Sequence, residues 1–398
     1  MTSEIIFMTS ESSAGSEHLL PASRAVVAPG EPFPKVREVS LTDYEQIAAL
    51  QSRNGLTARS YEDWITLWQD NPVYRQRERQ WPMGWVLEAE HRMIIGWVGN
   101  IPLAYQFRKR RLCAATPWSW VVDGSHRGYG MLILNRLLRQ KHVDLFVCTN
   151  VSSASEPFTA RLRFSKVPLG AWNKSAFWIT NYRGFMRIAL KAKAVPLAQA
   201  MVYPLSAALV SWDRCNGGWM RSRRSLSNIE RCWEFDSRFD SFWDELQRQN
   251  ENVLLAVRTR ETLTWHFRKA SLQQRVWILA VHKGPRLVAY AIFDRQDNPA
   301  IGLRRVRLVD FQALNGSEDT LLSALSWMLH ECRAEGIHLL EILGCWLKRP
   351  GLPRVVAPFY RTMPSWSYYY KATDQNLIAK LRDPRVWAPS SFDGDGSL

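Results

Sequence analysis

The sequence predicts an α/β protein in which two mixed-sheet domains are joined by a basic helical linker. Residues 35–185 alternate strand-like and helix-like patterns in the order β-α-β-β-β-loop-α-β-α-β. That order is an antiparallel meander feeding a βαβ unit. Residues 233–385 pass through a similar order without close sequence identity, as a diverged duplication does. Between them, 186–232 carries eight Lys or Arg against Asp213 and Glu230.

With 398 residues the chain is long enough for two or three domains. The hydrophobic fraction of 46% and the charged fraction of 22% are those of a globular protein. The 19 Trp point to aromatic-rich cores. A net charge of +15 calls for an anionic partner without choosing among nucleotide cofactor, nucleic acid, acidic polymer and anionic leaflet. Six scattered Cys without a CxxC pair read as reduced thiols in a cytosolic setting, with no metal site. The eight His include no HxxxH or HxH pair, which argues against a metal hydrolase.

Residues 1–34 are rich in Ser, Glu, Pro and Gly and read as a disordered lead-in, not a secretory signal. A short strand at Val36–Val39 precedes Thr42 and Glu45, which have the spacing of a capping box. "WVLEAE" and "IIGWVGNIPLAYQF" read as two strands, "RKRR" as a charged turn and "CAATPWSWVVD" as a third strand. A helix over about 132–141, the buried strand "DLFVCTN", the short helix "SEPFTARLRF" and the closing strand "GAWNKSAFWIT" complete the first half. In the second half, "RTRETLTWHFRKA" is a helix and "RVWILAVH" with "LVAYAIFD" a strand pair across Lys-Gly-Pro. "RRVRLVDFQAL" is a third strand. A helix follows, with Ser317 as its N-cap and Gly336 just past its end, and then the strand "IHLLEILGCW".

The stretch "WSWVVDGSHRGYGMLILNRLLRQ" (118–140) runs from strand through a Gly-rich basic turn into a helix. Such a turn presents backbone amides in one concavity at a positive helix end, which suits a phosphate or pyrophosphate. Gly128 and Gly130 allow close backbone approach, and Arg127 supplies a charge-assisted contact. Neither GxxxxGK[ST] nor GxGxxG with a later ribose-binding acid fits.

What fits is Arg127-Gly128-Tyr129-Gly130-Met131-Leu132 after a strand ending "WVVD". This resembles the Q/R-x-x-G-x-G/A pyrophosphate loop of the GNAT (GCN5-related N-acetyltransferase) superfamily. Arg127 and Gly130 match; Leu132 stands where that family has Gly or Ala. The element order extends the resemblance over about residues 35–185. It implies acetyl-CoA or another acyl-CoA as cofactor, held by Arg127, Gly128, Tyr129, Gly130, Met131 and Leu132. It places Val121 and Val122 along the pantetheine arm in a gap between parallel strands, and Asn150 facing the cofactor. It also implies a strand bulge whose amide meets the oxyanion.

Acyl transfer to an amine needs a base for the ammonium and an acid for the leaving thiolate. The family's usual acid is a Tyr in the helix after the second parallel strand; here Thr159 holds that position. The nearest ionisable groups are Glu156 and Asp123, with Glu88 on a strand facing the acceptor cleft. Each has a plainer reading: Asp123 as a turn cap, Glu156 as a first-turn acid on the helix dipole, Glu88 as surface.

The second half has "DFQALNGSEDT" in place of the loop, and Glu318 and Asp319 at a helix start repel a pyrophosphate. That copy is therefore expected not to bind a CoA-type cofactor. The uncharged "AVPLAQAMVYPLSAALVSW" is too Pro-broken for a span; it fits an inter-domain helix or, with its basic flanks, a peripheral membrane contact through 195–212. Residues 386–398 read as a flexible acidic tail.

The reading is thus a cytoplasmic, membrane-compatible acyl-CoA-dependent acyltransferase acting on an amine or hydroxyl. Two alternatives stay open. One resembles the aminoacyl-tRNA-dependent peptidyltransferases of peptidoglycan cross-bridges, for which the basic surface would bind RNA. The other is a non-catalytic binding protein on the same scaffold.

Overall fold

A computed structural model describes residues 33–398 apart from 78–80, 154, 170, 195–197, 222–227, 348, 350–351, 353 and 364–365. The expected lead-in lies outside the described residues except for its last two. Strand β1 (Lys35–Glu38) leads through a 3-10 turn into α1 (Tyr44–Arg53). The cap falls at Ser40 rather than Thr42: the Asp43 carboxylate accepts the Ser40 amide at 2.7 Å while Arg37 grips its oxygens. Helices α2 (Tyr61–Gln69) and α3 (Pro72–Arg75) are capped by the side chains of Ser60 and Asn71.

The meander β2 (Gly84–Glu88), β3 (Ile94–Phe107) and β4 (Arg110–Val122) follows as expected. Next come α4 (Gly130–Leu138), β5 (Leu145–Val151), α5 (Glu156–Arg161), β6 (Ser165–Lys166) and β7 (Lys174–Ile179). The basic linker is a helical hairpin, α6 (Tyr182–Ala192) and α7 (Ala198–Arg221). Among the described residues no helix is long and apolar enough to cross a membrane.

The second half comprises β8 (Ile229–Cys232), α8 (Ser237–Gln249), β9 (Leu255–Ala256), α9 (Arg260–His266) and α10 (Arg268–Leu272). It continues with β10 (Val276–Lys283), β11 (Arg286–Arg295), β12 (Arg305–Ala313), α11 (Thr320–Ala334) and β13 (Leu339–Leu343). It ends with β14 (Phe359–Thr362), β15 (Ser367–Ala372) and α12 (Gln375–Leu381). Asp319, not Ser317, is the N-cap of α11. Its far end is as predicted: Gly336 at φ +63° lets the Ile337 amide reach Cys332 O at 2.8 Å.

One sheet runs β1-β2-β3-β4-β5-β15-β6, with β9 paired to β3; the other runs β14-β7-β13-β12-β11-β10-β8. The sheets exchange strands. β7, expected to close the first half, lies between β13 and β14 of the second sheet, and β15 from the second half lies between β5 and β6 of the first. A strand buried on both faces, as Ala176–Ile179 is, reads the same in either sheet, so its sequence carries no partner. One hydrophobic core is continuous from β3, β4 and β5 to β11, β12 and β13.

The tail expected to be flexible is instead built into the centre. Ser390, Phe392 and Asp393 are buried. Arg258, just past β9 and itself buried, donates to Asp310 on β12 and to Asp393, both at 2.8 Å. The Tyr105 hydroxyl on β3 donates to the Asp393 carbonyl. A lone buried guanidinium is very costly; two carboxylates compensate it, and they hold the tail against both sheets.

Candidate functional site

Strands β4 and β5 pair in parallel only at Ala114–Leu145 and Ala115–Phe146. Beyond that point β4 runs on to Val122 and β5 to Val151 without pairing, so the two strands part. A bulge follows in β4. Against β3, Trp97 faces Val121 and Gly99 faces Trp118, leaving Ser119 and Trp120 opposite the single Val98. Ser119 takes φ +52°, and such a bulge bends its strand. The bulge also resets the side-chain alternation. Cys113, Ala115, Trp120 and Val122 pack with α4, whereas Ala114, Trp118 and Val121 face the other side.

Helix α1 holds this geometry from outside. The Gln51 amide donates to Ser119 Oγ at 2.5 Å. Two residues on, Arg53 meets both Asp123 oxygens at 2.9 and 2.6 Å, and Asn54 adds a bond of 2.8 Å. Burial alone would raise the Asp123 carboxyl, but these bonds keep it below the usual carboxylate range. Asp123, expected as an acid or base candidate or as a turn cap, is tied to α1 at the loop entrance by these bonds.

The loop is a 3-10 turn, Gly124–Tyr129, running straight into α4. Its carbonyls already engage some amides: His126 N–H donates to Asp123 O, and Gly130 N–H to Arg127 O. The unengaged amides of a helical segment are its first ones, which here are those of Gly124 and Ser125. Gly124, Ser125, Arg127 and Gly128 are exposed, whereas Gly130 is buried. A Cβ at Gly130 would lie 3.0 Å from the Trp120 ring, so glycine there lets the helix start close on the splayed strand. Tyr129 and Met131 are half-buried, and Leu132, the departure from the motif, is turned outward. Trp120 meets Phe158 of α5 with ring centroids 5.1 Å apart, which roofs the parted strands on the α4 side.

Glu88 lies elsewhere, bound to Arg37 Nε at 2.5 Å in a half-buried ion-pair group with the buried Asp43. Glu156 sits at the start of α5, with Lys166 at 3.8 Å, and accepts the Tyr369 hydroxyl. A tyrosine from the second half of the chain thus lies beside this helix. Tyr369 comes from β15, pairs opposite Cys148 of β5, and sets its hydroxyl beside Glu156 and Thr159. Burial and the Glu156 carboxylate push that hydroxyl up to about 12.

A second group absent from the sequence reading is Asp395. The Thr149 hydroxyl donates to its carboxylate at 3.0 Å, and the Asn150 side chain bonds it too. Burial pushes this carboxyl up to about 6 against the pull of those donors. The Thr149 carbonyl accepts from Trp172 Nε1 at 3.0 Å. Trp172 in turn lines an open cavity of about 520 Å³ with Lys166, Val167, Leu169, Asn173 and Trp366. The end of β5 thus carries Asp395 at Thr149, while Lys166 of the cavity pairs opposite Tyr369 and lies 5.8 Å from the centre of its ring.

The second sheet repeats the geometry and closes it. β12 and β13 pair only as far as Arg307–Glu341, and Val309 bulges from β12. Phe311 of β12 meets the fully buried Trp346, just past β13, at 6.3 Å. That ring contact spans the second parting of strands, and Glu318 lies at the start of α11.

No family model and no curated protein sequence matches the chain. Solved structures do. A GCN5-related N-acetyltransferase from Anabaena variabilis ATCC 29413 matches with a TM-score of 0.53 at 10% identity, over 87% of this chain and 74% of that one. A GCN5-related N-acetyltransferase from Kribbella flavida matches with 0.52 at 9%, over 86% and 71%. A conserved protein of unknown function from Enterococcus faecalis V583, described as a probable N-acyltransferase, matches with 0.50 at 13%, over 86% and 73%. At these identities the likeness is one of fold. The chain has the fold of the GCN5-related N-acetyltransferases, spread over most of its length in two mixed sheets.

Proposed function

We propose that the protein is an acyl-CoA-dependent acyltransferase whose cofactor lies in the β4–β5 gap of the first sheet. The observation that carries this reading is the parting of β4 and β5 at a bulge, directly before an exposed Gly-rich turn. Parted strands leave backbone groups that an extended amide-bearing arm can pair with. The turn and Arg127 suit the diphosphate end.

In the proposed mechanism Asp395 accepts the proton of an amine or hydroxyl acceptor held at the open end of β5. The freed lone pair attacks the thioester carbonyl, and the resulting oxyanion is met by an amide released at Ser119–Trp120. Collapse breaks the carbon–sulfur bond, and the Tyr369 hydroxyl protonates the departing thiolate. Val121 and Val122 flank the arm, and Asn150 positions Asp395. The second gap, filled by Phe311 and Trp346, takes no cofactor in this reading.

Calorimetric titration of acetyl-CoA and longer acyl-CoAs tests it. Binding that weakens about 10- to 100-fold in Arg127→Glu, the scale of a lost charge-assisted contact, is expected. A chain that binds no acyl-CoA of any length would reject the proposal.

A further inference from the structure

The α6–α7 hairpin joins two properties on one outer surface. On α6, Arg183, Arg187 and Lys191 recur every fourth residue and are exposed, while Phe185, Met186 and Leu190 are buried against the second sheet. On α7, Met201, Tyr203 and Trp212 are exposed, Tyr203 by 64%. Tyr203 adjoins the cations, since the Arg183 guanidinium lies 4.9 Å from the centre of its ring. No Asp or Glu occurs from residue 157 to 212. The acid that ends this stretch, Asp213, is buried and accepts the Tyr182 hydroxyl.

We propose that this hairpin docks the protein on an anionic lipid bilayer, lying in the interface rather than spanning it. A row of cations with no interspersed acid matches a layer of lipid phosphates and carboxylates. Tyr203 beside that row, and Met201 and Trp212 exposed elsewhere on α7, are side chains that an interfacial helix buries at the headgroup boundary. A nucleic acid would use the cations but would leave Met201 and its neighbours without a purpose. This inference does not depend on the acyltransferase reading.

Co-sedimentation of the full chain with vesicles tests it, comparing phosphatidylcholine alone with phosphatidylcholine plus phosphatidylserine, at low and high salt. Binding is expected only to the serine-containing vesicles and is expected to weaken with salt. Replacing Arg183, Arg187 and Lys191 together by Gln should weaken it roughly 100-fold, from about fivefold per cation at the surface. The pair Met201→Ser and Tyr203→Ser, with the charges intact, should also weaken it. Far-UV circular dichroism identifies any variant that has not folded; the single Arg187→Gln, at an exposed position, then replaces it and should lose about fivefold. Equal binding to both vesicle types, or unchanged binding in the Gln variants, overturns the proposal. So does a fragment of duplex RNA that binds the same surface and is indifferent to the Ser pair.

Discussion

The Thr149 hydroxyl donates to the Asp395 carboxylate at 3.0 Å, joining two residues 246 positions apart in the chain. Through this bond the last residues of the sequence lie at the open end of β5. The tail there tolerates no bulk: a Cβ on Gly394 would sit 2.5 Å from Thr149 Cγ2.

If Asp395 accepts the acceptor's proton, Asp395→Asn should lower kcat by about 10²–10⁴, the usual scale of general-base loss, with little change in acyl-CoA affinity. The wild-type rate should rise with pH through an apparent pKa near the value of about 6 set by burial. Thr149→Val removes a donor that favours the charged form, so it should move that limb to higher pH. Asp123→Asn should leave the limb in place and cost only about 1 kcal/mol of stability, because its ion pair with Arg53 is partly solvated. A limb unmoved in Asp395→Asn rejects this role.

Tyr369→Phe should lower kcat about 10²-fold with CoA thioesters. An acid that protonates a thiolate matters less when the thiolate is a better leaving group. The deficit should therefore shrink with an aryl thioester donor. An equal deficit with both donors would show that Tyr369 only packs.

Arg258→Met tests the buried clamp. Asp310 and Asp393 would be left without their shared cation in a buried site, which should cost about 3–5 kcal/mol in denaturant unfolding. A loss below about 1 kcal/mol, the scale of an exposed pair, would mean that water compensates the carboxylates.

His266 is buried, bonded to Ser397 Oγ at 2.8 Å, and burial lowers its pKa to about 3. Its folded value lies below the unfolded value, so the unfolded chain takes up the proton first. The stability tied to neutral His266 is complete above about pH 6.5 and is lost as pH falls from there towards 3. The stability gap between wild type and His266→Gln should narrow with acid over that window. A gap independent of pH would place the titration elsewhere.

Local chemistry was legible and long-range partnership was not. The 118–140 stretch announces a strand, a glycine turn and a helix, since each signal lies within a few residues of the next. Asp123 reads as a catalytic candidate or a turn cap because Arg53 and Asn54, some 70 residues upstream, leave no trace near it. Tyr369 reaches α5 from 213 residues away, so a search of the helix itself finds only Thr159. The tail carries the composition of a disordered segment; its burial depends on Arg258, 135 residues earlier. β7 was legible as a strand, but no feature of "AFWI" names the sheet that takes it.

The exchange of β7 and β15 means that neither half is a self-sufficient folding unit. A fragment ending near residue 230 has β5 and β6 but not the strand that bridges them, and an unpaired β7 beside them. During synthesis the first sheet waits for residue 372 before it can close. Until then the nascent chain carries exposed strand edges, so its demand for chaperone protection should fall late in translation and all at once.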